Sequence, residues 1–339
     1  MEQFVPQRVF VQKAALAYEK GERLVRKLSS RGIPTEVYDR KVPALRYRSA
    51  KDKFLALKRT LVIGVWSQRD FQTCRPSAHY QLPLVSGCPG LCEYCYLSTN
   101  LGDRPYVRVY VNTEEILAQA QRYTEARRPE TTIFEGSATS DPVAVEGWTG
   151  SVAEAIAFFA RLESAGFRFV TKFTAVDGLL GLDHRGKTEI RFSINSDYVL
   201  SHFEKGVPGL ERRMEAARKV ARAGYPLGLL IAPILLFPGW KDNYLNLLRT
   251  AREYLEAALA GPPTFELITH RFTSRAKSVI QQVYPDTELP LEESERQFKY
   301  GQFGYGKFVY PAGTMREVEE WFREQISSTF PQSRILYFV

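Results

Sequence analysis

The chain has 339 residues, of which 44% are hydrophobic and 25% charged, and this composition excludes a disordered chain and predicts a sizeable core. The longest apolar run, Leu227 to Phe237, is much shorter than the roughly 20 residues that a bilayer-spanning helix needs, so we expect no membrane segment. The formal net charge is +8, and residues 1–60 account for all of it, with 15 Lys and Arg against 6 Asp and Glu.

The predicted elements begin with a helical stretch near Val11 to Leu28, which is followed by a short buried strand at Leu61 to Trp66. From about His79 onward, strand-like segments alternate with helices of roughly 12 to 15 residues. The strand-like segments are 81–85, 107–111, 131–134, 167–173, 189–194, 227–236 and 265–269. Four predicted helices separate these strands. The first begins after Asn112 and ends near Ala126, and the others span 151–164, 211–223 and 244–260.

Two of these helices begin with a capping-box spacing, Asn112 with Glu115 and Ser151 with Glu154. Strands that alternate with helices imply βαβ units and a parallel sheet, and about six such units form a barrel or part of one. The sequence therefore predicts an α/β protein. Its three predicted regions are an N-terminal basic region 1–78, a barrel region 79–270 and a C-terminal region 271–339.

Residues 300–310 interleave aromatic residues with glycines, which predicts a glycine-turned β-hairpin flanked by Lys299 and Lys307. An aromatic and basic hairpin either stacks on bases and wedges between them or packs on its own domain. The basic excess in residues 1–60 likewise fits either an arm that meets nucleic acid or a solvated basic helix.

Three of the four cysteines, Cys88, Cys92 and Cys95, have the spacing C-x3-C-x2-C, which does not suggest a disulfide scaffold. Three thiolates can hold three irons of a cubane cluster and leave the fourth iron open to a small molecule. Pro89 and Gly90 favour a tight loop that turns the thiols inward. The alternative is a structural zinc loop completed by a distant ligand, although zinc sites usually have two separated pairs of ligands.

The cysteine spacing resembles the signature of the radical S-adenosylmethionine superfamily. The resemblance implies a [4Fe-4S] cluster whose open iron chelates S-adenosyl-L-methionine, and reductive cleavage to a 5′-deoxyadenosyl radical. It also implies a partial (βα)6 TIM-like barrel, with the basic extension before it and the β-hairpin region after it. An electron donor such as flavodoxin or ferredoxin is a further implied partner.

Other motifs extend the resemblance to the spore photoproduct lyase family, over nearly the full length of the chain. These motifs are 86–97, 134–135 with 139–141, 169–172, 191–196, 232–234, 265–268 and 270–273. The resemblance implies repair of the spore photoproduct, 5-thyminyl-5,6-dihydrothymine, in the DNA of germinating spores. The radical would take a hydrogen from C6 of the lesion, the methylene bridge would break, and a hydrogen donor would quench a thymine-centred radical.

The resemblance also implies which residues form the site. The cluster ligands would be Cys88, Cys92 and Cys95. The S-adenosylmethionine site would be lined by Ser140, Lys172, Ser193 and Ala232. The ammonium group of Lys172 is suited to pairing with a carboxylate. Tyr94 and Tyr96, on either side of Cys95, would relay hydrogen atoms back to the adenosyl radical, or would simply pack.

The sequence departs from the family at the hydrogen donor. Many family members have a cysteine directly before Thr-Ser-Asp, and here that position is Ala138, whose C–H bonds are too strong for the task. The only thiol outside the cluster motif is Cys74, just upstream of the predicted strand that leads to the cluster. Cys74 is therefore either the replacement hydrogen donor or an inert free thiol.

A second departure lies in the hairpin, where family members can have Arg-Tyr and this chain has Gln302-Phe303. The resemblance implies that the hairpin enters the lesion site. Phe303 can still stack there, but it lacks a hydroxyl, and Gln302 has no charge to meet a phosphate.

Two alternatives remain open from the sequence. One is a radical S-adenosylmethionine enzyme that acts on a peptide or small molecule, and the other is a zinc-stabilised nucleic-acid-binding protein without catalysis. The N-terminus lacks a basic-then-apolar export signal, so we expect a cytoplasmic protein. The family resemblance implies that it acts in the spore core of a spore-forming bacterium. We expect a monomer that contacts DNA and no membrane.

Overall fold

A computed structural model describes residues 4–97, 101–102, 104–300 and 306–339. Two compact units share the chain: residues 1–89 with 101–190, and residues 90–100 with 191–339. The three predicted regions, 1–78, 79–270 and 271–339, were defined by expected function and not by compact packing, so they stay a prediction.

The first unit contains two sets of paired strands. Its strands are β1 (Arg8–Gln12), β2 (Thr35–Tyr38), β3 (Thr60–Gly64), β4 (Thr73–Cys74), β5 (Ala78–Gln81), β6 (Val85–Ser86), β7 (Val107–Tyr110), β8 (Thr132–Glu135) and β9 (Ala165–Thr171). One set is a five-stranded sheet in the order β2-β1-β3-β7-β6, in which only the β6–β7 pair is antiparallel. The other set pairs in the order β9-β8-β5-β4.

Strand β1 overturns part of the predicted helix from Val11 to Leu28. Val9, Phe10 and Val11 are fully buried, and β1 lies between two parallel partners, β2 and β3. A helix forms only from Glu19 onward, after a short 3-10 turn. The β-branched apolar run fits a central parallel strand, which is buried on both faces.

The helices of the first unit are α1 (Glu19–Ser29), α2 (Ala50–Lys58), α3 (Thr113–Ala126), α4 (Val143–Thr149) and α5 (Ser151–Phe159). The capping box predicted at Ser151 and Glu154 does not form. Both side chains instead accept hydrogen bonds from the buried ammonium group of Lys20, each at 2.8 Å. At the start of α3, Asn112 donates to the Glu115 carboxylate and caps no backbone N–H group.

The second unit contains the later strands and helices. Its strands are β10 (Thr188–Ile194, which begins just before the division), β11 (Leu227–Ile234), β12 (Thr264–Thr269), β13 (Gln297–Tyr300), β14 (Gly306–Val309) and β15 (Arg334–Phe338). Its helices are α6 (Asp197–Phe203), α7 (Leu210–Arg222), α8 (Trp240–Leu255), α9 (Ser274–Val283) and α10 (Ala312–Thr329). The order β10-β11-β12-β15 follows the chain, and β12 is parallel to both β11 and β15.

The alternation of strands and helices from residue 131 to residue 269 follows the sequence prediction closely. The predicted strand at 81–85 was wrong in its position, because β5 ends at Gln81 and β6 starts only at Val85. The predicted hairpin is present as the antiparallel pair of β13 and β14. Helix α10 and strand β15 were not predicted.

A buried ion pair lies within the second unit. Arg191 on β10 and Glu266 on β12 are 2.6 Å apart, with side chains at most 2% exposed, and the Tyr337 hydroxyl donates to the same carboxylate at 2.9 Å. Gly228, on the strand between them, leaves room for the arginine, since an added Cβ would lie 2.5 Å from the Arg191 side chain. Removing one charge would leave the other buried without its partner, which costs about 3–5 kcal/mol.

Candidate functional site

The first cysteine of the motif is fixed by the backbone of the first unit. Gly87 follows β6 with φ +80°, and a Cβ at this position would lie 2.3 Å from the carbonyl oxygen of Tyr106, so only glycine fits. Its N–H group donates to the carbonyl oxygen of Thr139 at 2.8 Å. The ammonium group of Lys58 donates to the carbonyl oxygen of Cys88 at 2.8 Å. The half-buried thiol of Cys88 thus starts a well-anchored loop.

The other two cysteines belong to the second unit, where Cys92 is buried and Cys95 half-buried. The backbone N–H of Glu93 donates to the carbonyl oxygen of Phe203 at 2.9 Å. The Glu93 carboxylate accepts hydrogen bonds from Lys205 at 2.6 Å and from Thr287 at 2.7 Å. These contacts hold the segment between the two thiols in place.

None of the four cysteines, all of which are described, forms a disulfide. Within the described parts of the chain, no group of three or more His, Cys, Asp or Glu side chains is arranged so that it could hold a metal ion. The fit to an iron–sulfur cluster rests on the donor set: three soft thiols within eight residues, each able to bind a different iron. Cys88, Cys92 and Cys95 are the residues that would hold such a cluster.

Tyr94 and Tyr96 have contrasting surroundings. The Tyr94 hydroxyl donates a short hydrogen bond to the carboxylate of Glu204, and Glu204 pairs with Arg213 at 2.5 Å. Burial, and then the charge of Glu204, raise the pKa of Tyr94 well above its ordinary value. Tyr96, by contrast, is 55% exposed. If both tyrosines relay hydrogen atoms, Tyr94 does so from a half-buried position held by Glu204 and Tyr96 from an exposed one.

Glu204 and Arg213 were not found by sequence reasoning. Both side chains are at most 1% exposed, and Arg213 also donates to the carbonyl oxygen of Ser193 at 3.0 Å. This network connects Tyr94 to a residue predicted to line the S-adenosylmethionine site. Nothing in the sequence distinguishes Glu204 from the other acidic residues, because its partners lie in separate parts of the chain.

Ser140 and Lys172 of the predicted S-adenosylmethionine site meet around Asp141 in the first unit. Ser140 is buried in the turn that follows β8, and Lys172 directly follows β9. The Asp141 carboxylate accepts from the Thr171 hydroxyl at 2.7 Å and from the backbone N–H of Lys172 at 2.8 Å. Burial raises the pKa of Asp141 to about 6, against these hydrogen bonds and the charge of Lys172.

Ser193 and Ala232, the other two residues of that predicted site, lie in the second unit. Ser193 is buried near the end of β10, and Ala232 is half-buried near the end of the neighbouring strand β11. The Asn195 side chain donates to the carbonyl oxygen of Pro233 at 2.8 Å and ties the two strand ends together. Strand carboxyl ends are where parallel α/β sheets bind ligands.

Cys74, the candidate hydrogen donor, lies in the first unit on β4. It is half-buried and pairs with Ala78 of β5 in an antiparallel register. Strand β5 in turn pairs with β8, where Gln81 is opposite Glu135, three residues before Ala138. Cys74 is thus opposite the first residue of β5, and Ala138 lies in the turn that follows β8, both within the first unit.

Gln302 and Phe303, the predicted lesion contacts, lie outside the described residues. For the rest of the chain, no helix has the combination of length and apolar character that a bilayer crossing requires.

Comparison with known proteins gives consistent results over the full chain. The family model described as spore photoproduct lyase matches residues 4–339. The chain is 45% identical to the spore photoproduct lyase of Geobacillus sp., with 100% of both chains covered. It is 43% identical to that of Bacillus subtilis, with 99% of this chain and 98% of the relative covered.

Solved structures of spore photoproduct lyase match equally well. One is a cysteine-to-alanine, serine-to-cysteine double mutant with bound AdoMet and dinucleoside spore photoproduct, with a TM-score of 0.97, 44% identity and 99% of each chain covered. Another is a spore photoproduct lyase complexed with dinucleoside spore photoproduct, with a TM-score of 0.97 and 43% identity, and again 99% of each chain is covered. These matches confirm the predicted α/β class with a partial parallel barrel, and the chain belongs to the spore photoproduct lyase family.

Proposed function

We propose that this protein repairs the spore photoproduct in DNA, returning the lesion to two thymines by radical S-adenosylmethionine chemistry. The observation that carries the proposal is full-length similarity, at 44% identity, to an enzyme solved with both AdoMet and the dinucleoside lesion. The three-cysteine motif with its C-x3-C-x2-C spacing is intact in this chain. When bound, the cluster and S-adenosylmethionine supply the radical that removes a hydrogen atom from the lesion.

The side chains of this protein hold and orient the reactants. Cys88, Cys92 and Cys95 would each bind one iron of the cluster. Lys172 offers an ammonium group to the carboxylate of the cofactor, and Asp141 fixes the backbone of Lys172 through its hydrogen bond. Ser140, Ser193 and Ala232 would complete the cofactor site at the ends of their strands.

Cys74 is the proposed hydrogen donor to the thymine-centred radical. All four cysteines are described, and the other three are assigned to the cluster, so Cys74 has the one thiol left for this task. Transfer of the S–H hydrogen atom to the carbon radical completes the repaired thymine and leaves a thiyl radical on Cys74. Tyr96 and Tyr94 would then supply the hydrogen atom that restores the Cys74 thiol, which moves the radical from the thiol to a tyrosine.

The proposal is tested with the anaerobically reconstituted, chemically reduced protein, S-adenosylmethionine and a defined dinucleotide lesion. Appearance of thymidylyl-thymidine, with none formed when S-adenosylmethionine is omitted, is the expected result. A protein that holds its cluster and cleaves S-adenosylmethionine but leaves the lesion intact would instead point to a different substrate.

The proposal includes two cellular expectations. The reductant in the cell is a low-potential electron carrier such as flavodoxin or ferredoxin, and the protein acts as a monomer in the spore core. Reduction of the cluster by either purified carrier, followed by optical spectroscopy, checks the first expectation.

A further inference from the structure

The stem of the C-terminal hairpin forms a small antiparallel sheet with the chain around Phe272. The backbones of Phe272 and Phe308 exchange two hydrogen bonds, of 3.2 and 2.7 Å, in an antiparallel bridge. On the other side of β14, Phe298 is opposite Phe308 and Lys299 is opposite Lys307. Because successive residues of a strand point to opposite faces, the three phenylalanines share one face and the two lysines share the other.

The aromatic face packs on the protein at Phe272 and Phe308, whereas Phe298 at its outer edge is 49% exposed. The rings of Phe272 and Phe308 are 5.4 Å apart, and those of Phe308 and Phe298 are 5.3 Å apart. Phe272 is buried in a hydrophobic cluster with Val199 and Phe203, and Phe308 packs against that cluster. The opposite face is outward at Lys299, which is exposed, and partly outward at Lys307, which is half-buried, whereas Val309 on the same face is buried.

The lysine face of the hairpin stem is cationic, and none of its cations pairs with an acidic side chain within the described residues. Arg271 precedes Phe272 and so lies on the same face as Lys307. Within the described residues, no salt bridge joins Arg271, Lys299 or Lys307 to a carboxylate. Partial burial, and then the charges of Arg271 and Lys299, lower the pKa of Lys307. Like charges directly opposite each other across a strand pair destabilise it, so the arrangement favours a bound anion.

We propose that Lys299, Lys307 and Arg271 form a binding site for a backbone phosphate of the DNA strand that carries the lesion. The inference rests on the proposed repair function and assigns these residues to it. A dinucleoside has no backbone phosphate, so this site would act on DNA and not on that smaller substrate.

The test compares DNA with the dinucleoside, using the reconstituted full-length protein. The variant is Lys299→Gln with Lys307→Gln, and the charge-preserving variant is Lys299→Arg with Lys307→Arg. Lys241→Gln is the matched control, because Lys241 is a lysine of the same unit that already pairs with Glu317, at 2.8 Å. Affinity for a lesion-containing duplex is measured across a range of salt concentrations, and thymidine release is measured from the dinucleoside lesion.

We expect the Gln variant to bind the duplex several-fold more weakly, with a salt slope shallower by about 1, because the loss of one phosphate contact removes roughly 0.9 from the slope. Thymidine release from the dinucleoside should not change, and the Arg variant and the control should behave like the wild type. An unchanged salt slope in the Gln variant overturns the site, and so does an equal loss on the dinucleoside. If the wild type releases no thymidine, the repair function fails, and the salt slopes still decide whether phosphate binds here.

Discussion

Cys74 is the residue on which the last step of the proposed repair depends. Ala138 cannot give up a hydrogen atom to a carbon radical, and Cys74 has the remaining thiol of the chain. Cys74→Ala should lower the yield of repaired thymine at least roughly tenfold and raise the yield of aborted by-products, because the carbon radical then lives long enough to react elsewhere. Chromatography of all lesion-derived products measures this partition.

The control for the Cys74→Ala variant is to introduce a thiol at position 138, where many family members have a cysteine. Ala138→Cys in the Cys74→Ala background should restore repair, since it places a thiol directly before Thr139-Ser140-Asp141, where many family members have their cysteine. Unchanged product partitioning in Cys74→Ala would remove Cys74 from the mechanism.

Gly87 determines how β6 passes into the cysteine loop. A side chain here meets both an unfavourable φ of +80° and the carbonyl oxygen of Tyr106, so Gly87→Ala should displace Cys88. We expect the variant to retain much less iron and sulfide after anaerobic reconstitution, as measured per chain by chemical assay and by visible absorption.

Gly186→Ala is a control that separates the strain of a positive φ from the steric clash with a neighbouring backbone atom. Gly186 also has a positive φ, +67°, but open space lies where its Cβ would be. This variant should lose about 1 kcal/mol of stability and keep a full complement of iron. Equal iron loss in both variants would show that backbone strain alone, and not the fit at Gly87, controls the cluster.

Glu146 caps the start of α5 and should make stability depend on pH. Its carboxylate accepts from the N–H groups of Val152 and Ala153 at 2.8 and 2.9 Å, but burial raises its pKa from 4.5 to about 7. The folded protein therefore binds more protons than the unfolded chain between about pH 4.5 and 7. The stabilisation from this group is present below pH 4.5 and is lost as the pH rises through 7.

Glu146→Gln removes this titration and keeps a hydrogen-bond acceptor. Relative to the wild type, the variant should gain on the order of 2–3 kcal/mol in unfolding free energy between pH 5 and pH 8. Thermal or urea melts at the two pH values measure the difference, with exposed Glu253→Gln as the control. A stability difference between wild type and Glu146→Gln that does not change with pH contradicts the assignment.

Local sequence patterns were sufficient to predict most elements of the alternating strand and helix region. They did not predict which distant residues these elements contact. Between residues 131 and 269 the strands follow from short apolar runs and the longer helices from their apolar periodicity, whereas the short helices α4 and α6 were not predicted. Ser151 and Glu154 have capping-box spacing, yet Lys20, more than 100 residues away, takes both as acceptors. Val9 to Val11 form a central strand for a similar reason, because its pairing with β2 and β3 cannot be inferred from a local pattern, although β3 itself was predicted.

The candidate site shows the same limit. The cysteines and the S-adenosylmethionine residues are found from motifs, because each motif is continuous in the sequence. Glu204 and Arg213, which hold Tyr94 and Ser193, come from a helix end and a helix interior outside any motif. Only the folded chain brings such residues together.

The net positive charge of the molecule is concentrated in its first 60 residues. In the structure, some of these basic residues lie near acidic side chains and others do not. Arg23 and Arg26 lie near Glu19 and Glu22 one helical turn away on α1. The segment 40–51 is different, because several of its basic side chains are exposed and have no acidic partner within the described chain. These are Arg40, Lys41, Arg46, Arg48 and Lys51.

If this basic segment contacts DNA, the unpaired charges should carry the interaction. The triple variant Arg46→Gln, Arg48→Gln, Lys51→Gln should bind a lesion-free duplex more weakly, with a salt slope shallower by about 2 to 3, because each phosphate contact contributes roughly 0.9. The double variant Arg23→Gln, Arg26→Gln removes basic residues from the same region that already have acidic neighbours, and should change the slope little. Titration of a labelled duplex at several salt concentrations measures both slopes. Equal slopes in the triple variant and the wild type would mean that this charge excess is only a solvated surface, whatever its size in the sequence.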